Sequence, residues 1–316
     1  MRRLKLIGLM VILVVGTFGC SSNSSEANAG AQGESVTIAQ TETQSVMQTE
    51  AQTQPQTEPQ TKEYALLSEY VEEITYHSNY LDVDRPANIF FPCGYDPSIQ
   101  YDVVYMLHGM SGNYDSYKFM DTLDRARGLI TEYNLRPMIL VSMTVFTDKD
   151  GLDESAYNFS SLAPKYDTCI DDIINCLIPY VNSHYSTNTG REHTGICGYS
   201  LGGREAMYLA YAYPEIFGKV GAFSPVGGVF EDSLRTKALI GDVGKDFKHP
   251  DTIVVVVGDT DPYCLKSSKQ YDEYFTSKGV DHIFRLWEGG HETKIWKAGF
   301  DLFLQDGFAG KEIIWK

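Results

Sequence analysis

Missing motifs narrow the chemistry of this chain before any present one is read. There is no His-Glu-x-x-His, no Gly-x-Gly-x-x-Gly turn behind a strand, and no Gly-rich loop ending in Lys-Ser or Lys-Thr. Zinc peptidases, dinucleotide enzymes and P-loop NTPases are thereby excluded, and no cofactor or metal is expected. The six cysteines, at 20, 93, 169, 176, 197 and 264, follow no zinc-ligand spacing, and at most one disulfide is expected among the last five. Positive charge is scarce: 26 Lys and Arg face 42 Asp and Glu, for a net charge of −16. Without a basic cluster such a surface repels nucleic acid, and no nucleic-acid partner is expected. The apolar stretch over residues 6–18 is too short to span a bilayer as a stable helix. No internal repeat is visible, and nothing marks a second folded domain or a carbohydrate-binding module.

What is present begins with an address. Met1-Arg2-Arg3-Leu4-Lys5 is a basic opening, the apolar stretch follows, and Gly19-Cys20 leads into a serine-rich run. The pattern resembles a bacterial lipoprotein signal, although Thr17 and Phe18 depart from the residues usual before the cysteine. That resemblance implies lipidation at Cys20 and attachment through the lipid to the extracellular face of a bacterial envelope, with plain secretion as the alternative. Residues 21–63 are rich in Ser, Thr, Gln and Glu and hold almost no large apolar side chain. They cannot bury enough surface to offset their ordering entropy, so a disordered tether is expected before a catalytic domain at 64–316.

Within that domain the run Gly195-Ile196-Cys197-Gly198-Tyr199-Ser200-Leu201-Gly202-Gly203 carries the most information. A buried strand enters Gly-x-Ser-x-Gly and leaves into a helix over 204–213, the layout of a nucleophile elbow. The tight turn pushes the Ser200 hydroxyl above the sheet edge. The backbone N–H of Leu201, the next residue, can face a developing oxyanion, beside the free N–H groups of the helix start behind it.

Three further pieces stand in the expected order around it. Val103-Val104-Tyr105-Met106-Leu107-His108-Gly109-Met110 is an apolar strand ending in His-Gly. A β-branched run at 252–257 ends in Gly258-Asp259-Thr260-Asp261, and Gly289-Gly290-His291 follows a strand-like segment at 281–287. Serine, acid, then histidine is the order expected of an α/β-hydrolase. Further strands are expected at 70–81, 85–92, 137–143 and 219–224, with helices at 166–185 and 267–278. Strands alternating with helices, and near-continuous apolar strands, predict a mostly parallel central sheet with helices on both faces.

The matching residues resemble the esterase-D-like branch of α/β-hydrolases, which includes carbohydrate esterase family 1 (feruloyl and acetylxylan esterases), S-formylglutathione hydrolases and mycolyltransferases. The residues that carry it are Tyr105 to Met110, the Gly-Tyr-Ser-Leu-Gly-Gly-Arg-Glu run at 198–205, Tyr213 to Gly218, Gly258 to Asp261, and Gly289-Gly290-His291-Glu292 followed by Trp296. The resemblance spans about residues 64–316. It implies a second oxyanion donor at the N–H of Met110 and an acid at the last residue of Gly-x-x-Asp, Asp261, with Asp259 as a rival two residues earlier.

Ser200 needs a base, and His291 after its glycine turn is the candidate. His77, His184, His193, His249 and His282 follow no such turn, and His108 is read as structural. Trp287 and Trp296 are read as cleft or core residues. Arg204 and Glu205 are expected in surface or structural roles, and Arg125, Arg127, Asp171 and Asp172 on solvated helix faces. The loops at 144–163 and 227–250 are expected to set the acyl pocket.

The function this implies is a serine carboxylester hydrolase removing feruloyl or acetyl groups from plant cell-wall polysaccharide such as xylan. Two other readings remain at this stage: an acyltransferase resembling mycolyltransferases, and a glycan-binding surface lipoprotein without catalysis.

Overall fold

The computed structural model describes residues 71–233, 236–244 and 246–309. The readings of residues 1–20 (with Cys20) and of 21–63 lie outside the described residues. An opening hairpin, β1 (Val71–Ser78) and β2 (Val83–Phe90), is antiparallel throughout its register. Then come β3 (Asp102–Leu107), α1 (Thr122–Glu132) and β4 (Met138–Met143). After α2 (Phe159–Asp167), α3 (Cys169–Asp172) and α4 (Ile178–His184) the chain enters β5 (Thr194–Tyr199) and α5 (Leu201–Ala212). β6 (Lys219–Phe223), β7 (Thr252–Gly258), α6 (Leu265–Lys278), β8 (Ile283–Trp287) and α7 (Thr293–Phe308) complete it.

The eight strands form one sheet in the order β1-β2-β4-β3-β5-β6-β7-β8, parallel from β4 to β8. Every residue of β3 to β7 is buried, which is why these strands read as near-continuous apolar runs rather than alternating ones. Their side chains alternate between two cores. Tyr105, Val141, Ile196 and Val255 pack with Tyr166, Leu177, Met207 and Phe275 on one face. Met106, Leu140, Cys197 and Val256 pack with Ala126, Phe300 and Phe303 on the other. The fold is the expected α/β-hydrolase arrangement, and it sets the carboxyl ends of β5, β7 and β8 along one edge.

Two expectations need correction. The single helix at 166–185 starts earlier, at Phe159, and is broken: a π turn, Ile173–Leu177, separates α3 from α4. Pro179 lacks the N–H that would bond four residues back, so the ladder widens just ahead of it. Asp172 is not on a solvated face; it is fully buried, accepts from Tyr76 Oη at 2.6 Å and pairs with Arg85. Arg85 in turn donates to the Thr144 and Phe146 carbonyls, so this pair ties the hairpin to the loop after β4. Cysteines 93, 169, 176, 197 and 264 form no disulfide.

Candidate active site

β5 delivers Ser200 in a conformation that L-residues rarely adopt, φ 57° and ψ −121°. Such a residue persists only where its surroundings over-determine it. Here Ser200 N–H donates to the Phe223 carbonyl at 2.9 Å, and Arg204 and Val226 N–H both donate to the Ser200 carbonyl at 3.2 Å. The two elbow glycines are steric necessities. A Cβ on Gly202 would lie 2.3 Å from the Leu107 carbonyl oxygen, and one on Gly198 would lie 2.3 Å from the Gly202 oxygen. Leu201, the first residue of α5, has no intrahelical acceptor for its N–H.

The loops after β7 and β8 bring an acid and a base to this serine. His291 Nε2 lies 3.0 Å from Ser200 Oγ, and Nδ1 lies 2.8 Å from Asp261 Oδ2. Asp261 Oδ1 accepts the N–H groups of Tyr263 at 2.9 Å and Cys264 at 2.8 Å. Burial pushes the Asp261 carboxyl up. The bond from His291 and the two N–H donors outweigh it and hold the group below its ordinary 3.8. A neutral imidazole that donates to this carboxylate has a lone pair left facing the serine hydroxyl.

Asp259, the rival acid, faces elsewhere. Its Oδ1 accepts Gly289 N–H at 3.0 Å, and Thr260 donates to the Gly289 carbonyl from both its N–H and its hydroxyl. Asp259 and Thr260 therefore staple the glycine turn that carries the base. The other histidines are engaged away from the serine: His193 with Asp102, His282 with Asp272, His249 with Tyr211, His77 with Asp84, and His184 stacked on Tyr180. His108 is buried and accepts Val145 N–H at Nε2.

Two aromatic rings pack against His291. Trp296 meets it edge-on at 5.2 Å while stacking on Tyr199, and Tyr263 meets it edge-on at 5.4 Å. Trp296 thus supports the base from the core side, and Trp287 closes β8. Asp261, Cys264 and His291 form a cluster whose donor atoms lie within 4.8 Å of one another. The Asp261 and His291 atoms are spent on each other and on Ser200, which is a hydrogen-bonded relay rather than a ligand shell.

A cleft of about 690 Å³ opens beside Ser200 and His291, within the range of small-molecule sites. Met110, Phe159, Val226, Pro262 and Tyr263 give it apolar and aromatic walls, and Asp232, Lys266 and Gln270 give it polar ones. Both anticipated loops contribute. The wall from Pro262 to Gln270 was not anticipated, because α6 reads as an ordinary surface helix.

Arg204 is a correction to any surface reading: it is 1% exposed, and Glu205 is fully buried. Arg204 donates to Glu205 at 2.7 Å and to the Gly227 carbonyl at 3.1 Å, and pairs with Asp167. It therefore ties α5 and α2 to the strand-end segment that floors the cleft.

Comparison with known proteins agrees with this geometry. The family model "Putative esterase" matches residues 78–305. A carbohydrate esterase family 1 ferulic acid esterase from Anaeromyces mucronatus, solved in complex with ferulic acid, is 30% identical. The match covers 78% of this chain and 93% of that one, with a TM-score of 0.67. Endo-1,4-beta-xylanase Y of Acetivibrio thermocellus is 29% identical over 140 residues, a match to 40% of this chain but only 11% of the xylanase. An S-formylglutathione hydrolase from Staphylococcus aureus shares the fold at 15% identity and a TM-score of 0.56, covering 75% of this chain and 96% of that one. The chain belongs to the esterase family of α/β-hydrolases, and it is a serine carboxylester hydrolase.

Proposed function

We propose that this esterase releases hydroxycinnamoyl groups, feruloyl above all, from plant cell-wall polysaccharide. The observation that carries the reading is the cleft beside Ser200, whose Phe159, Tyr263 and Pro262 offer an aromatic acyl group stacking surfaces. The A. mucronatus relative, named for ferulic acid, supports the same acyl class.

In this reading Ser200 Oγ attacks the ester carbonyl while His291 Nε2 takes its proton, and Asp261 stabilises the imidazolium. The N–H groups of Leu201 and Met110 hold the tetrahedral oxyanion. Collapse expels the sugar alkoxide, which takes the proton from His291 and leaves a feruloyl ester on Ser200. Water, deprotonated by His291, then releases ferulate. A polymeric substrate fits an exported, tethered enzyme, which is what the signal-like N-terminus and lipidation at Cys20 would supply.

The test is hydrolysis of methyl ferulate beside p-nitrophenyl acetate and acetylated xylan, with Ser200→Ala as control. Serine-dependent ferulate release is expected. Acetate release alone would make the enzyme an acetylxylan esterase, and acyl transfer to an added sugar in preference to water would make it an acyltransferase.

A further inference from the structure

Residues 109–112 form a tight turn, closed by Gly112 N–H donating to the Gly109 carbonyl at 3.1 Å. Met110 is its second residue, and the third, Ser111, is left-handed at φ 62°. Serine does not hold that conformation unaided.

Two sets of contacts hold it. The first converges on the Gly109 carbonyl. Val145 N–H donates to His108 Nε2 at 2.8 Å, so the ring proton of the neutral histidine sits on Nδ1 and is donated to Gly109 O at 2.6 Å. Burial lowers the His108 pKa to about 4, which keeps the ring in that form. The Tyr166 hydroxyl reaches the same carbonyl at 3.1 Å. The second set runs through Glu154. One carboxylate oxygen accepts from Tyr166 Oη, whose single proton it shares with Gly109 O; the other accepts Ser111 N–H at 2.6 Å. A trans peptide is planar, so donors gathered on the Gly109 C=O fix the Met110 N–H on the opposite edge of that plane. Met110 lines the cleft with Ser200.

We propose that Tyr166 and Glu154 are positioning residues for the Met110 oxyanion donor, holding its peptide plane and the left-handed Ser111 from outside the turn. The proposal rests on the reading of Met110 N–H as an oxyanion donor. Phe159 of the acyl wall lies between them in sequence, at the start of the helix that ends with Tyr166 and Asp167. The acyl wall and the two supports of the oxyanion donor are therefore carried by one segment, 154–167.

Tyr166→Phe and Glu154→Ala test it. Deleting an oxyanion donor outright costs about 10²–10³ in kcat, so displacing one should cost less, about tenfold. KM for methyl ferulate should stay within about twofold. Affinity for an aryl boronic acid, which forms a tetrahedral adduct on the serine, should fall by the same factor as kcat, while affinity for ferulate stays unchanged. Glu154→Gln, which retains an acceptor for Ser111 N–H, should recover part of the lost kcat. Wild-type kcat and boronate affinity in either variant would remove that residue from the proposal. Parallel losses in ferulate affinity and melting temperature would reduce the role to packing and overturn it. Met110→Pro separates the underlying reading, since proline suits the second position of such a turn and carries no N–H. A large kcat loss there with silent Tyr166 and Glu154 variants overturns the proposal alone; wild-type kcat there overturns the donor assignment and the proposal together.

Discussion

Asp261 and Glu205 are both buried carboxylates close to the serine elbow, and their surroundings push them in opposite directions. Asp261 looks at two backbone N–H groups and an imidazole, which hold its carboxyl below the ordinary range. Burial and the neighbouring Asp167 push the Glu205 carboxyl well up, against the opposing charge of Arg204. Asp261 reaches the cleft through His291, whereas Glu205 is sealed between α5 and α2. Burial of an acid beside a nucleophile therefore says little by itself; what decides the role is whether the donors around it are fixed and whether its partner faces substrate.

The comparison can be broken by substitution. Ser200→Ala and His291→Ala should each lower kcat for methyl ferulate by about 10⁴–10⁶ with the fold intact, read by initial rates and thermal melts. Asp261→Asn should cost about 10⁴ by losing the carboxylate that holds the tautomer, while Asp259→Asn costs less than about tenfold; equal losses would undo the assignment of Asp261. On the sealed side, Arg204→Met should cost about 3–5 kcal/mol of stability by stranding Asp167 and Glu205, with kcat per folded molecule changed only a few-fold. Denaturant titration and active-site counting separate the two quantities.

The pH dependence follows from His108, whose pKa falls from 6.5 to about 4 on burial. Between those values the unfolded chain binds the proton and the native one does not, so stability is full above pH 6.5 and falls as pH drops toward 4. The loss is about 3 kcal/mol, and His108→Asn should flatten that part of the profile. The smallest expected effect is Phe159→Ala: kcat/KM for methyl ferulate should fall about tenfold while p-nitrophenyl acetate changes less than about twofold.

The elbow was legible in the sequence because it is dictated by local sterics: Gly198 and Gly202 are needed wherever backbone comes within 2.3 Å of a would-be Cβ. The parallel sheet was legible because β3 to β7 are buried on both faces and carry no polar alternation. The choice of Asp261 over Asp259 came from the resemblance, since both sit in one loop; in the structure the N–H groups of Tyr263 and Cys264 hold Asp261 where it meets His291. Arg204 was left between a surface and a structural role, and Asp172 looked like a solvated helix position. Their partners, Asp167 and Arg85, stand 37 and 87 residues away, and no periodicity reports such pairings. The strap of Tyr166 and Glu154 was hidden for the same reason, and Pro179 was the one local sign that the helix at 166–185 would break.

The most direct test of the account is mass spectrometry of the enzyme acid-quenched during turnover of a feruloyl ester. A feruloyl adduct is expected on the peptide holding Ser200 in the wild-type enzyme, and none at that peptide in Ser200→Ala. An adduct on another residue, or turnover with no adduct at Ser200 under any quench, would contradict it.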